Sequence, residues 1–95
     1  MNETVLNETE QGQRRVAVDE TIFDGMAARW KSSHVARTEV SEFSGGIISE
    51  RYLANLDSQG RGPRGRIRTG RKISYPALEF ARWLARRSEV VEPKQ

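Results

Sequence analysis

The chain has no cysteine, three prolines, two methionines and one histidine in 95 residues. Without thiols there is no disulfide framework, no cysteine-ligated zinc site and no thiol nucleophile. Such a chain suits a reducing compartment. The single His34 has no paired carboxylate at ligand spacing beside it, and a lone histidine in a polar stretch reads as a surface residue. No apolar run approaches the ~20 residues that a membrane span requires. The opening MNETVLNETE also lacks the basic start and apolar stretch of a secretory signal, so a cytoplasmic chain with no membrane partner is expected. Gly60-Arg61-Gly62-Pro63-Arg64-Gly65 lacks the Lys-Ser/Thr that completes a phosphate-binding loop, and it leaves a helix where such a loop follows a strand. The expectation is a protein that is no enzyme and takes no cofactor. Its length suits one small domain, which buries only about 60–65% of its unfolded surface and so needs a compact core.

What the chain does have is arginine. Thirteen of its 16 basic residues are Arg, against 13 acids, for a net charge of +3. That sum hides a gradient: residues 1–28 carry a net −4, residues 29–58 balance, and residues 59–95 carry +7. Arg61, Arg64, Arg66, Arg68, Arg71 and Lys72 fall within twelve residues that contain no acid. The arginine fork pairs two-pronged with phosphate or with a guanine edge, where lysine is a flexible point charge. A merely solvated basic face is the alternative.

Residues 1–15 are polar and read as a disordered tail. Residues 16–37 form an N-terminal helix and connector. Within 19–31, Ile22, Phe23, Met26, Ala27 and Trp30 share a helical stripe, with Asp19 as the cap; the stripe packs on the core or docks a partner or second copy. His34–Arg37 has the character of an edge strand. Thr38 then caps a short helix through Phe43, ended by Gly45-Gly46. Ser49 caps a second helix through Ser58, with Leu53 and Leu56 on one face and Arg51, Ala54, Asn55 and Ser58 on the other. Beyond Gly60 the period changes from helical to two. Gly65 and Ile67 alternate with Arg64, Arg66 and Arg68, and Ile73 and Tyr75 alternate with Lys72 and Ser74, about a Thr69-Gly70 turn. That predicts a hairpin with an apolar inner face and a cationic outer one. Pro76 opens a closing helix at its first position, with Leu78, Phe80, Ala81, Trp83, Leu84 and Ala85 on its apolar face. Residues 89–95 read as a flexible C-terminus.

Two short capped helices about a glycine turn are the pattern of a helix-turn-helix. With the hairpin and closing helix, the expected fold is α+β and mostly helical: a small winged helix-turn-helix over residues 38–88, with a two- or three-stranded antiparallel wing. The stretch Thr38 to Arg87 resembles the excisionase-like, MerR-superfamily winged-helix proteins of phages and mobile elements, including the AlpA-type prophage regulators. The residues that carry the resemblance are Glu39-Val40, Ile48-Ser49-Glu50-Arg51-Tyr52-Leu53 and Gly60-x-Gly62-Pro63. They continue through Ile67-x-x-Gly70-Arg71-Lys72-Ile73-x-Tyr75-Pro76, Leu78 and Trp83-Leu84. Two features depart from the pattern: Gly45-Gly46 lengthens the turn, and Tyr52 stands where many members have Thr. The resemblance implies a module that sets its second helix in the major groove and its wing along the backbone or minor groove. It would act either as a recombination directionality factor beside an integrase or as a small transcription regulator.

The physics of groove recognition assigns roles independently. The first turns of a recognition helix approach base edges, which makes Ser49, Arg51, Tyr52, Ala54 and Asn55 the candidate readers. Arg51 suits guanine and Asn55 suits adenine. In the wing, Arg61, Arg64, Arg66, Arg68, Arg71 and Lys72 are the candidate phosphate contacts. Trp30, Tyr75, Phe80 and Trp83 read as core. The expected partner is double-stranded DNA, with an integrase or another copy of the chain as further partners. RNA fits less well, because the hairpin lacks exposed aromatics on which unpaired bases stack. The competing reading is a module that docks an acidic protein through the basic surface or the 19–31 helix.

Overall fold

The structure is a computed structural model and describes residues 14–93. Of the disordered tail expected over 1–15, residues 1–13 lie outside the described residues, and Arg14 and Arg15 instead belong to a strand. In order come β1 (Arg14–Ala17), α1 (Asp24–Arg29), β2 (His34–Ala36), a 3₁₀ turn (Arg37–Glu39), α2 (Val40–Phe43), α3 (Glu50–Ser58), β3 (Ile67–Thr69), β4 (Lys72–Pro76), α4 (Ala77–Arg86) and β5 (Glu89–Glu92). This is an α+β chain with two antiparallel sheets, one ordered β2-β4-β3 and the other pairing β1 with β5.

The core gathers where α2, α3 and α4 meet the three-stranded sheet. Val35, Val40, Phe43, Leu53, Leu56, Tyr75, Phe80 and Leu84 are buried there. Each such side chain contributes about 1.5–3 kcal/mol of transfer free energy. Phe80 is the hub of its aromatic part: Phe43 stacks on it at 5.2 Å, and Tyr75 and Trp83 lie at 5.5 and 5.9 Å. Trp30 meets the edge of Phe43 at 5.3 Å. The four aromatics expected in the core are thus packed against it.

Several elements differ from the sequence expectation. The first helix is shorter, because the Asp19 carboxylate does not cap it. Asp19 instead accepts hydrogen bonds from the Thr21 backbone and hydroxyl, both at 2.8 Å. That local turn competes with helix, as Asp side chains readily do, and the helix begins only at Asp24. Its stripe turns inward, with Phe23, Met26, Ala27 and Trp30 packed on the core and Ile22 left exposed. Thr38 is no cap either, since it sits inside the 3₁₀ turn that extended Ala36 precedes. Leu78 points outward from α4 and is 47% exposed. Pro76 ends β4 and stands immediately before the helix. Residues 89–92, read as a flexible end, pair with β1 in register from Arg14↔Glu92 to Ala17↔Glu89. Both strands are short and offer no distinctive alternation, so only their pairing reveals them.

The hairpin holds the most consequential difference. Its turn is Gly70-Arg71, with Thr69 opposite Lys72, Arg68 opposite Ile73 and Ile67 opposite Ser74. A two-residue turn pairs residues whose numbers have an odd sum, so Ile67 and Ile73 cannot share a face. The turn overrides the apolar alternation, and a one-residue shift of register reverses every side chain of a strand. Ile67 is therefore 45% exposed. Arg66 and Arg68 turn to the side that carries Ile73 and Tyr75, toward α3, where a cationic outer face had been expected.

Candidate nucleic-acid interface

The site is built on α3. Extended Ser49 caps it, its hydroxyl oxygen accepting the Tyr52 N–H at 3.1 Å. Before it, the chain reverses through Gly45 and Gly46, whose φ angles of 67° and 91° lie in the left-handed region that L side chains enter at a cost of about 1–2 kcal/mol. At about 100° per residue, Leu53 and Leu56 fall on one side of the helix, and both are buried. Arg51, Tyr52, Asn55 and Ser58 are left exposed and Ala54 half-buried. Of the five sequence-predicted readers, Arg51 and Asn55 thus lie at the middle of the open face, with Tyr52 and Ala54 at its two edges. Ser49 stands at its start, its oxygen committed to capping.

Asp57 was missed from sequence, and it organises the surroundings. Its side chain is only 4% exposed. Its Oδ2 accepts hydrogen bonds from the Tyr75 hydroxyl at 2.5 Å and from Arg37 Nη2 at 2.7 Å, while Arg66 Nη1 stands 3.1 Å from Oδ1. Arg37 Nε also donates to Tyr75 Oη at 2.9 Å. One carboxylate therefore links α3, the 3₁₀ turn, β4 and the chain entering β3. Burial first, and then the hydrogen bond to Asp57, pushes the Tyr75 phenol up to about 12. Burial opposes the charge of Arg37, but its hydrogen bonds to Tyr75 and Asp57 outweigh that and hold its pKa above the ordinary arginine value. Gly62 is needed at this centre, because a Cβ there would collide with the Asp57 carboxylate. The signal for Asp57 was present in the sequence: it lies four residues after Leu53, an acid on an apolar face. Arg37 offered none, as its partners are 20 and 38 residues away.

The hairpin lies alongside this helix. Arg66 and Arg68 share a cleft of about 250 Å³ with Arg37, Asp57, Ile73 and, from α3, Ala54 and Ser58. Toward the hairpin turn, Arg71, Lys72 and Ile73 line a second cleft of about 200 Å³ with residues 36–38 and Glu50 at the start of α3. Arg64 lies in a third, of about 340 Å³, beside Gly62 and Pro63. Arg61 lines none of these three. Its side chain donates to Gln59 Oε1 at 3.2 Å, and its carbonyl accepts from Trp83 Nε1. Five of the six cations predicted for the wing therefore line clefts beside α3 or its connector, and Arg61 lies on Gln59 at the end of that helix.

No protein-family model, curated protein or solved structure matches the chain. The chemistry of the surface must be read from its own groups. The planar fork of a guanidinium matches the geometry of a phosphate or a guanine edge. Among the described residues, no group of three or more His, Asp or Glu side chains is placed to hold a metal ion. His34 is half-buried on an edge strand with Nδ1 3.2 Å from Ser33 Oγ, so it is less open than the surface residue expected. No helix among the described residues is long and apolar enough to cross a membrane.

Proposed function

We propose that this chain is a sequence-specific double-stranded DNA-binding protein of winged helix-turn-helix type. In this reading α2, the glycine turn and α3 form the helix-turn-helix, and β3–β4 form the wing. The observation that carries it is the shared cleft: Arg66 and Arg68 of the hairpin stand against Ala54 and Ser58 of α3, so both elements face one partner. A helix with its side chains is about 10–12 Å across, which matches a major groove about 12 Å wide. Arg51 and Asn55 then reach base edges, while Arg64, Arg68, Arg71 and Lys72 meet phosphates. Excision of a mobile element and control of transcription both use such a module, and the resemblance supports either. The docking alternative loses most of its apolar surface on the 19–31 segment, because Phe23, Met26, Ala27 and Trp30 pack against the core and Ile22 alone of that stripe is left exposed.

Selection of bound duplexes from a random pool tests the proposal. A consensus should emerge, and R51Q or N55A should relax it at one or two base pairs, by about 1–3 kcal/mol each. Neutralising Arg66 and Arg68 together should weaken binding to all sequences alike. A chain that enriches no sequence, or a double variant with unchanged affinity, refutes the proposal.

A further inference from the structure

On the proposed reading, a helix lying in a major groove has a phosphate backbone on each side, yet the hairpin reaches only one. The other flank of α3 is formed by Tyr52. Two residues apart, Tyr52 and Ala54 point about 160° apart around the helix, so the side chain opposite the hairpin cleft is that of Tyr52. It is 49% exposed, and its hydroxyl accepts a hydrogen bond from Arg87 Nη2 at 3.2 Å. Arg87 follows α4, and its guanidinium also lies over the Trp83 ring, 5.0 Å from the centroid. Two contacts thus hold an exposed cation in place beside α3.

The neighbouring arginines set it apart. Arg82 is paired with Asp24 at 2.8 Å, and Arg86 with Glu20 at 3.2 Å and Glu79 at 2.7 Å. Among the described residues, Arg87 meets no carboxylate. A neutralised guanidinium has little to offer an anion. One that is oriented by an aromatic face and a phenol, with its charge unspent, has both the charge and the reduced conformational freedom that phosphate binding rewards. We infer that Arg87, oriented by Trp83 and Tyr52, is a second phosphate grip on the backbone opposite the wing, so that α3 is clamped between two cationic flanks. Tyr52 then serves as a positioning residue at the groove rim, which displaces it from base reading. This inference rests on the DNA-binding reading and adds to it a contact that neither the helix-turn-helix pattern nor the arginine-rich hairpin predicts.

The test is the salt dependence of binding to a fluorescent mixed-sequence duplex, read for the full chain and for R87Q, R87K, R86Q and R68Q. Each lost phosphate contact should flatten the slope of log K against log salt by about 0.9. R87Q and R68Q should each show that loss, R87K should keep the parent slope, and R86Q should change it far less. A melting curve for each variant checks that it folds. In parallel, arginine modification of the unsubstituted chain by phenylglyoxal, read by mass spectrometry, should be slowed at Arg87 by the duplex and unaffected at Arg86. If the parent binds and R68Q flattens the slope while R87Q does not, or if Arg87 reacts equally with and without duplex, the second grip is wrong and the DNA-binding reading survives. If the parent chain binds no duplex at all, both fall together.

Discussion

Asp57 shows how one nearly buried side chain organises the surface around it. Its carboxylate lies within 3.1 Å of three groups drawn from separate parts of the chain, Arg37, Arg66 and Tyr75. Removing one partner of a buried ion pair costs about 3–5 kcal/mol, because the remaining charge is left uncompensated. D57N should therefore lower the free energy of unfolding in urea titration, by less than that range because Arg37 and Arg66 are 25% and 45% exposed and solvent shares their charge. It should also free Arg66 and Arg37 from their acid. G62A is expected to act in the same direction through the same carboxylate. If D57N unfolds at the parent's denaturant midpoint, the network is peripheral to stability. The two residues were legible to different degrees. Asp57 interrupts an apolar face, and a buried acid requires partners. Which residues supply them is a matter of chain crossings that no local pattern carries.

At the level of elements, the capped helix is the part the sequence states most plainly. Ser49, the Leu53/Leu56 spacing and the glycines on either side predicted α3 at its observed position. The weaker predictions were those where two local rules competed. Asp19 fits either a helix cap or an Asx turn, and it forms the turn. The hairpin fits either an in-phase apolar alternation or a two-residue turn, and the turn prevails. Helix α1 is joined to α4 by a bidentate pair, Arg82 Nε and Nη2 on the two Asp24 oxygens at 3.2 and 2.8 Å. That hydrogen bond holds the Asp24 carboxyl below its ordinary value of 3.8. A carboxyl depressed by folding stabilises the native state above its unfolded pKa, and the stabilisation is lost as pH falls through the folded one. The chain should therefore lose melting temperature as pH falls below about 4. D24N should start lower at neutral pH and lose less on acidification. An identical acid response in D24N would mean that this pair does not link the two helices.

Across the whole molecule, the charge gradient along the sequence becomes a division in space. Acids of the N-terminal half neutralise α4 through Asp24 and Glu20, while the hairpin arginines other than Arg66 keep their charge. If four to six phosphates are engaged, log K should fall against log salt with a slope of roughly −3.5 to −5.5. A slope near zero would assign the arginines to solubility alone. The paired termini add a two-stranded ribbon of β1 and β5 whose valines Val16, Val90 and Val91 are all partly exposed, and nothing in the local sequence announces it.

The amino-acid order by itself determined the α+β composition, the helix at residues 50–58, the existence of an arginine-rich hairpin and the inward placing of the aromatics. Each of these follows from caps, turns and hydrophobic period within a dozen residues. Tertiary structure alone decided which guanidiniums are spent on acids, which groups meet the Asp57 carboxylate, and that Arg37 and Arg87 border α3. Those outcomes depend mostly on side chains meeting across 18 to 66 residues of chain, a distance over which local propensity carries no information and only packing selects the partner.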